Sequence, residues 1–201
     1  MKNSNYHHGD LKNTILKTCH KLLKKHGSSS FTLRQVAEEI GVSHAAVYRH
    51  FKDKDEVLEI LASTGFIKLA ANQKKIYQTR YANPKDFFVK FGQVYIQFAI
   101  KNPNYYRLMF QTKRAKESKV LKQSKLKSYA TLVHGCRYFL NAKNIKINHR
   151  SYAMMAWSLV HGYSNLCIET EFPKTEAKTL GLEIETMAEQ ILLHSLGNLS
   201  C

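Results

Sequence analysis

Apolar residues recur at intervals of three and four along almost the whole 201-residue chain, and residues that start helices punctuate the recurrence. A row with that period occupies one side of an α-helix; a strand needs alternation, and strand signals are scarce here. The predicted fold class is therefore all-α.

The first inward stripe is Leu11, Ile15, Cys19, Leu22 and Leu23, with Asp10 placed to cap the helix and Gly27 to stop it. Thr32 opens a second, shorter helix, and Gln35 three residues on completes a capping box. Leu33, Val36, Ala37 and Ile40 face inward. Gly41 and Val42 make a tight connection, and Ser43 caps a third helix running to about Phe51. Asp53 and Glu56 repeat the capping pattern before a long fourth helix, whose inward residues are Val57, Leu58, Ile60, Leu61 and Phe66.

Asn83-Pro84 and Asn102-Pro103 each put a capping side chain before a proline at the first helical position. The helices they open carry Phe87, Phe88, Phe91, Tyr95 and Phe98, then Tyr105, Tyr106 and Phe110. A long helix follows, with Tyr129, Leu132, Val133, Cys136, Phe139 and Leu140 at helical spacing. Asn148 caps the next, which turns Tyr152, Met155, Ala156, Leu159, Val160 and Tyr163 to one side. After Pro173, the residues Ile184, Met187, Ala188, Ile191 and Leu192 outline the last. There is no internal repeat and no low-complexity linker, so the halves are joined through the long fourth helix.

Lys and Arg outnumber Asp and Glu by 31 to 15, an excess that suits a polyanionic partner such as nucleic acid. The excess is uneven. Residues 1–60 carry 10 basic and 7 acidic side chains, against 21 and 8 in residues 61–201, so bulk charge does not single out the head of the chain. The run "KRAKESKVLKQSKLK", Lys113 to Lys127, reads first as a solvated loop and helix face; it also fits an anionic effector or a field that steers DNA. Cys19, Cys136, Cys167 and Cys201 have no paired spacing, which suits reduced thiols. With no apolar leader and no run of about 18 apolar residues, the chain reads as soluble and cytoplasmic.

The stretch "GVSHAAVYRHFKDKDEVL", Gly41 to Leu58, concentrates two histidines, two alanines, an aromatic and an arginine. A metal site is disfavoured. His44 and His50 are six apart, well over 90° around a helix from each other, whereas paired ligands on one helix usually sit four apart. Catalysis fares little better: no nucleophile elbow, P-loop or dinucleotide fingerprint occurs, so no catalytic residue, cofactor or metal is expected. A helix-turn-helix across residues 32–51 accounts for more of the stretch. Val47 and Phe51 pack inward, while His44, Ala45, Tyr48 and Arg49 point outward; alanines permit close approach and polar side chains hold phosphates.

These residues closely resemble the tetracycline-repressor (TetR) family of one-component bacterial regulators. The matching run is "FTLRQVAEEIGVSHAAVYRHFKDKDEVL", Phe31 to Leu58, preceded by a helix ending "KKHG". The resemblance implies an all-helical homodimer with a three-helix DNA-binding head over residues 1–56. It also implies a larger ligand-binding and dimerisation domain over residues 57–201, whose last two helices meet the partner. By position, Arg34, His44, Ala45, Ala46, Tyr48 and Arg49 are the candidates for facing bases, and Thr32, Ser43, Tyr48, His50 and Lys54 for holding phosphate. Tyr48 fits both roles. The implied partners are a double-stranded DNA operator, a small-molecule effector of unknown identity and a second copy of the chain, with no membrane; repression is the family's usual mode.

Two shorter stretches, "YHHGDLK" (Tyr6 to Lys12) and "AWSLVHGYSNL" (Ala156 to Leu166), resemble the subgroup named for a Trp-His-Gly signature, here Trp157, His161 and Gly162. Trp157 and His161 share a helix face, as a core pair or as ligand contacts. Phe91, Tyr95, Phe110, Tyr129, Trp157 and His161 are the candidate pocket residues, although an aromatic stripe at this spacing also makes ordinary core. The alternative function is a basic helical protein that binds nucleic acid non-specifically or senses a ligand, or an enzyme that uses the aromatic pocket.

Overall fold

A computed structural model describes residues 11–27, 31–79, 81–110 and 117–196. Among them run ten helices and no strand: α1 (Leu11–His26), α2 (Leu33–Ile40), α3 (His44–Tyr48), α4 (Lys54–Gln78), α5 (Pro84–Lys101), α6 (Pro103–Phe110), α7 (Lys119–Ala142), α8 (His149–Glu169), α9 (Phe172–Thr179) and α10 (Ile184–His194). No described helix is long and apolar enough to cross a membrane. The expected cap Asp10, residues 113–116 of the basic run and Cys201 lie outside the described residues.

Contacts divide the chain into two compact units, one of residues 1–65 with 104–122 and the other of residues 66–103 with 123–201. In the first, α1 packs on α2 and α2 on α3. Ile15, Cys19, Leu23, Val36, Ala37, Val47 and Val57 are fully buried, with Phe51 nearly so, which is the stripe the spacing predicts. Leu22 and Ile40 are half-buried at its edge. Most of α6 belongs to this unit; there Asn104 Nδ2 donates to the carbonyl of Lys24 (3.2 Å), and the Tyr105 ring lies 5.1 Å from that of His20.

In the second unit α5 is the central helix, packed against α8 and α10, and α9 leads from one to the other. Phe88, Phe139 and Tyr152 form an aromatic layer: Phe88 and Phe139 are 4.7 Å apart between ring centroids, and Phe139 stacks on Tyr152 at 6.0 Å. Gly92 permits the close approach of α10, since a Cβ there would sit 2.7 Å from Leu192 Cδ2. Cys136 is buried in this unit and Cys19 in the first; burial pushes both thiols up to about 12, so both stay protonated.

Local caps follow the sequence with one exception. Asn83 Oδ1 accepts from Lys85 N (2.9 Å) and Asn148 Oδ1 from Arg150 N and Ser151 N. Asn102 instead ends α5, its Nδ2 donating back to the Phe98 carbonyl (2.9 Å) rather than capping α6. The helix behind offers it an unpaired carbonyl, and the helix ahead begins with proline. Met155 is 47% exposed rather than turned fully inward, and α9 falls between two stretches whose periodicity is plain.

Candidate nucleic-acid interface and ligand cavity

The head is held by reciprocal caps. Thr32 Oγ1 accepts from Gln35 N (3.2 Å) and Gln35 Oε1 accepts from Thr32 N (2.8 Å), which pins the start of α2. Gly41 ends α2 at φ 71°, a left-handed conformation that glycine adopts without strain, and Val42 N closes the turn on the Ala37 carbonyl at 3.0 Å. Ser43 Oγ then accepts from Ala46 N (3.2 Å) to start α3. At α4, Asp53 Oδ1 accepts from Glu56 N (2.8 Å), while Glu56 Oε2 reaches back to Lys52 N (2.7 Å).

α3 is only five residues long by its regular bonds, shorter than the sequence suggests. Backbone bonds from Arg49, His50 and Phe51 continue the coil, the His50 bond tightening it to an i−3 pattern. Val47 and Phe51 anchor the segment from beneath, 0% and 1% exposed. His44, Ala45, Tyr48 and Arg49 are exposed, as are Thr32, Arg34 and Ser43; Ala46, His50 and Lys54 are half-buried. The Ser43 hydroxyl accepts a backbone bond through oxygen and keeps its proton to donate, so it can hold a helix start and a phosphate together, whereas the Thr32 hydroxyl already donates to Gln35 Oε1 at 3.3 Å and would exchange that bond for a phosphate.

Glu38 stands among these groups, and the sequence reading did not single it out. Its Oε1 pairs with Arg34 Nε at 3.0 Å and lies 3.9 Å from His44 Nε2. Lys54 extends its ammonium over the Phe31 ring, 4.8 Å from the centroid, and Lys12 lies over Phe51 at 5.6 Å. Burial lowers the Lys54 pKa below the ordinary lysine value, opposed by Asp55 and Cys19.

In the second unit, four of the six candidate pocket residues cluster. Tyr95 Oη lies 2.9 Å from His161 Nδ1 and accepts from Trp157 Nε1 at 3.1 Å. Tyr129 lies 6.1 Å from Trp157 and Trp157 5.7 Å from His161, between centroids. Trp157 and His161 are thus joined through Tyr95 rather than bonded to each other. Indole N–H can only donate, so the phenol oxygen is the acceptor there, and in the neutral imidazole protonated on Nε2 the phenol donates to Nδ1. Burial, which lowers the His161 pKa, favours the same form.

Tyr95 also borders a small cavity of about 20 Å³, lined by Phe88, Phe91 and Gly92 of α5, Leu132 of α7, Met155, Ala156, Leu159 and Val160 of α8 and Leu192 of α10, with Gln73 of α4. Of the six candidates, Phe91 and Tyr95 line it directly. Phe110 belongs to the first unit, 4.9 Å from Tyr106. Gln73 went unremarked in the sequence, where a polar residue in a long helix looks solvent-facing; it is 3% exposed. No group of three or more His, Cys, Asp or Glu able to hold a metal occurs among the described residues.

A family profile described as "Bacterial regulatory proteins, tetR family" matches residues 15–61, and one described as "Tetracyclin repressor-like, C-terminal domain" matches residues 88–189, half of the chain. The chain is 26% identical over 167 residues to the uncharacterized HTH-type transcriptional regulator YerO of Bacillus subtilis. That match covers 78% of this chain but 56% of the relative, so the chain spans little more than half its length. Among solved structures, a Rhodococcus sp. RHA1 protein of unknown function aligns with TM-score 0.77 and 24% identity, covering 96% of this chain and 98% of that one. A TetR/AcrR-family transcriptional regulator of Thermobifida fusca aligns with TM-score 0.69 and 15% identity, covering 94% and 97%. At these identities the two likenesses establish the fold.

Proposed function

Since the chain belongs to the tetracycline-repressor-like family of bacterial regulators, we propose that it is a dimeric, ligand-responsive repressor that binds a roughly palindromic double-stranded DNA operator in the bacterial cytoplasm. The observation that carries this reading is the two-sided α3: Val47 and Phe51 buried beneath, His44, Ala45, Tyr48 and Arg49 exposed above. That is what a helix needs in order to enter a major groove while its other side stays with the core. Arg34 and Ala46 complete the base-facing set; Thr32, Ser43, His50 and Lys54 hold phosphates, and Tyr48 fits either role. Residues 1–56 form the reading head and residues 57–201 the sensing and dimerising part.

Dimerisation through α8 and α10 is supported by a charge-free face. No Lys, Arg, Asp or Glu occurs between Arg150 and Glu169, although Met154, Ser158, Gly162 and Leu166 are exposed at four-residue intervals. Such a row favours a neighbouring helix over water. Gly162 has nothing within 4 Å of where a Cβ would stand, so the free protomer alone does not account for it.

The cavity is the effector site in this reading. Its wall residue Met155 adjoins Met154 of the dimer face, so a ligand that moves α8 acts on the helix that meets the partner. A ligand with higher affinity for a dimer whose heads do not match the half-sites, about 34–36 Å apart, releases DNA in proportion to that difference. Binding rather than turnover is supported by a lining almost wholly apolar, with no acid or ionised base against the space. The Tyr95 bridge between Trp157 and His161 gives the Trp-His-Gly signature a structural use and supports membership of that subgroup.

Selection of binding sites from a random duplex library, followed by footprinting, tests the reading. A short inverted repeat with half-sites about one helical turn apart is expected; uniform coverage without sequence preference would sink it.

A further inference from the structure

Gln73 lines the cavity while 3% exposed, and no hydrogen bond ties its side chain to another described residue. An amide offers two donors and a carbonyl acceptor, and burying them unpaired is unfavourable. The other polar side chains of the lining are already engaged. Tyr95 bridges Trp157 and His161, and Ser195 Oγ donates to the Leu192 carbonyl at 2.7 Å.

Lining chemistry and net charge point in opposite directions. The chain carries a formal +16, which would draw an anion toward it. No Lys, Arg, Asp or Glu lines the cavity, however, so an ion within it would lose its hydration and gain no counter-charge. Desolvation decides at this distance, because long-range attraction is screened by salt while the loss of hydration is not. About 20 Å³ is room for a water, so a larger molecule has to displace a wall. The wall suited to this is α8, where Met155 is 47% exposed and Leu159 half-buried. An unbranched methionine re-packs by changing rotamer.

We propose that the effector is an uncharged, largely apolar molecule with one hydrogen-bonding group, and that the Gln73 amide holds that group. This rests on the cavity being the effector site. The pocket's apolar side chains supply affinity, and Gln73 supplies orientation and the choice between otherwise similar molecules.

Equilibrium dialysis of the full chain against naphthalene, 2-naphthol and 2-naphthoate tests it. The hydroxyl is expected to tighten binding about fivefold over naphthalene, the ratio that one net hydrogen bond provides. The carboxylate is expected to bind at least about tenfold more weakly than 2-naphthol, despite the positive chain. Gln73→Leu should erase the hydroxyl's advantage and leave naphthalene unchanged, and Gln73→Met should do the same. Preference for 2-naphthoate, or a hydroxyl advantage that survives both substitutions, overturns the assignment; so does binding of none of the three probes. Operator affinity on the same preparations separates the failures. A chain that binds operator but no probe remains a regulator and loses this site, and one that binds the probes as expected but no operator keeps the site and loses the regulator.

Discussion

Tyr95 Oη lies 2.9 Å from His161 Nδ1 while accepting from Trp157 Nε1 at 3.1 Å, so one phenolic oxygen on α5 ties down two rings of α8. A proton on Nδ1 would turn that nitrogen from acceptor to donor and leave the phenol hydrogen without its acceptor. The Tyr95 hydroxyl is therefore fully paired on α8 only with a neutral His161.

The sign of the resulting pH dependence follows from burial, which sets the folded pKa of His161 below the unfolded value. The unfolded chain binds the proton more readily, so this contribution to stability is full above the unfolded pKa of about 6.5 and is lost as pH falls through the folded value. The chain has 10 histidines, so the readout is a difference. Denaturation midpoints of wild type and His161→Phe, followed from pH 8 to 5, should show a smaller acid-side loss in the variant; parallel curves would exclude the effect.

Glu38 competes for two of the groups proposed to meet DNA. Its carboxylate holds Arg34 at 3.0 Å and lies 3.9 Å from His44, and it is itself half exposed. Glu38→Gln should tighten operator binding by roughly three- to tenfold, having removed one negative charge near phosphates. Stability should move by less than about 0.5 kcal/mol, as for an exposed pair. Fluorescence anisotropy with an operator duplex measures the first and thermal melting the second; weaker binding would mean that Glu38 orients Arg34 rather than restrains it.

Neighbours on α3 should separate cleanly. Tyr48 is 55% exposed and Val47 is fully buried. Tyr48→Ala should weaken operator binding by about 10- to 100-fold, the loss of about 1–3 kcal/mol expected for a direct contact, with an unchanged melt. Val47→Ala should cost about 1–3 kcal/mol of folding stability by leaving a cavity. Affinity that ignores Tyr48 would remove this side of α3 from the interface.

Gly162 tests the proposed dimer face. A Cβ there meets nothing within 4 Å in its own protomer, and arginine improves helix propensity by roughly 0.5–1 kcal/mol, so the fold should hold. It puts bulk and charge into the row of Met154, Ser158 and Leu166. Sedimentation of Gly162→Arg should give a monomer with unchanged helicity, where wild type gives a dimer; a dimer in both would move the interface elsewhere.

Features decided within four residues are plain in the sequence. Thr32 with Gln35, Ser43, Asn83 and Asn148 all cap as their local patterns dictate, and Val47 and Phe51 turn inward at the spacing a helix requires. Legibility fades where distant elements choose. Asn102 has two possible partners, and which it takes depends on the state of both adjoining helix ends. Gln73 has the composition of a surface residue, and its burial depends on helices that begin later in the chain. Glu38 reads as an ordinary solvated acid until α2 and α3 bring it beside Arg34 and His44. α9 has only Pro173 and Ala177 buried, too few to draw a stripe.

The burial of Val47 and Phe51 beneath an exposed row has a consequence for descent. A five-residue helix cannot sustain itself in water, so α3 borrows its shape from those two anchors. His44, Ala45, Tyr48 and Arg49 add little to that support and are free to vary. On the proposed reading of α3, a lineage can therefore acquire a new operator by exchanging surface letters one at a time, with every intermediate still folded.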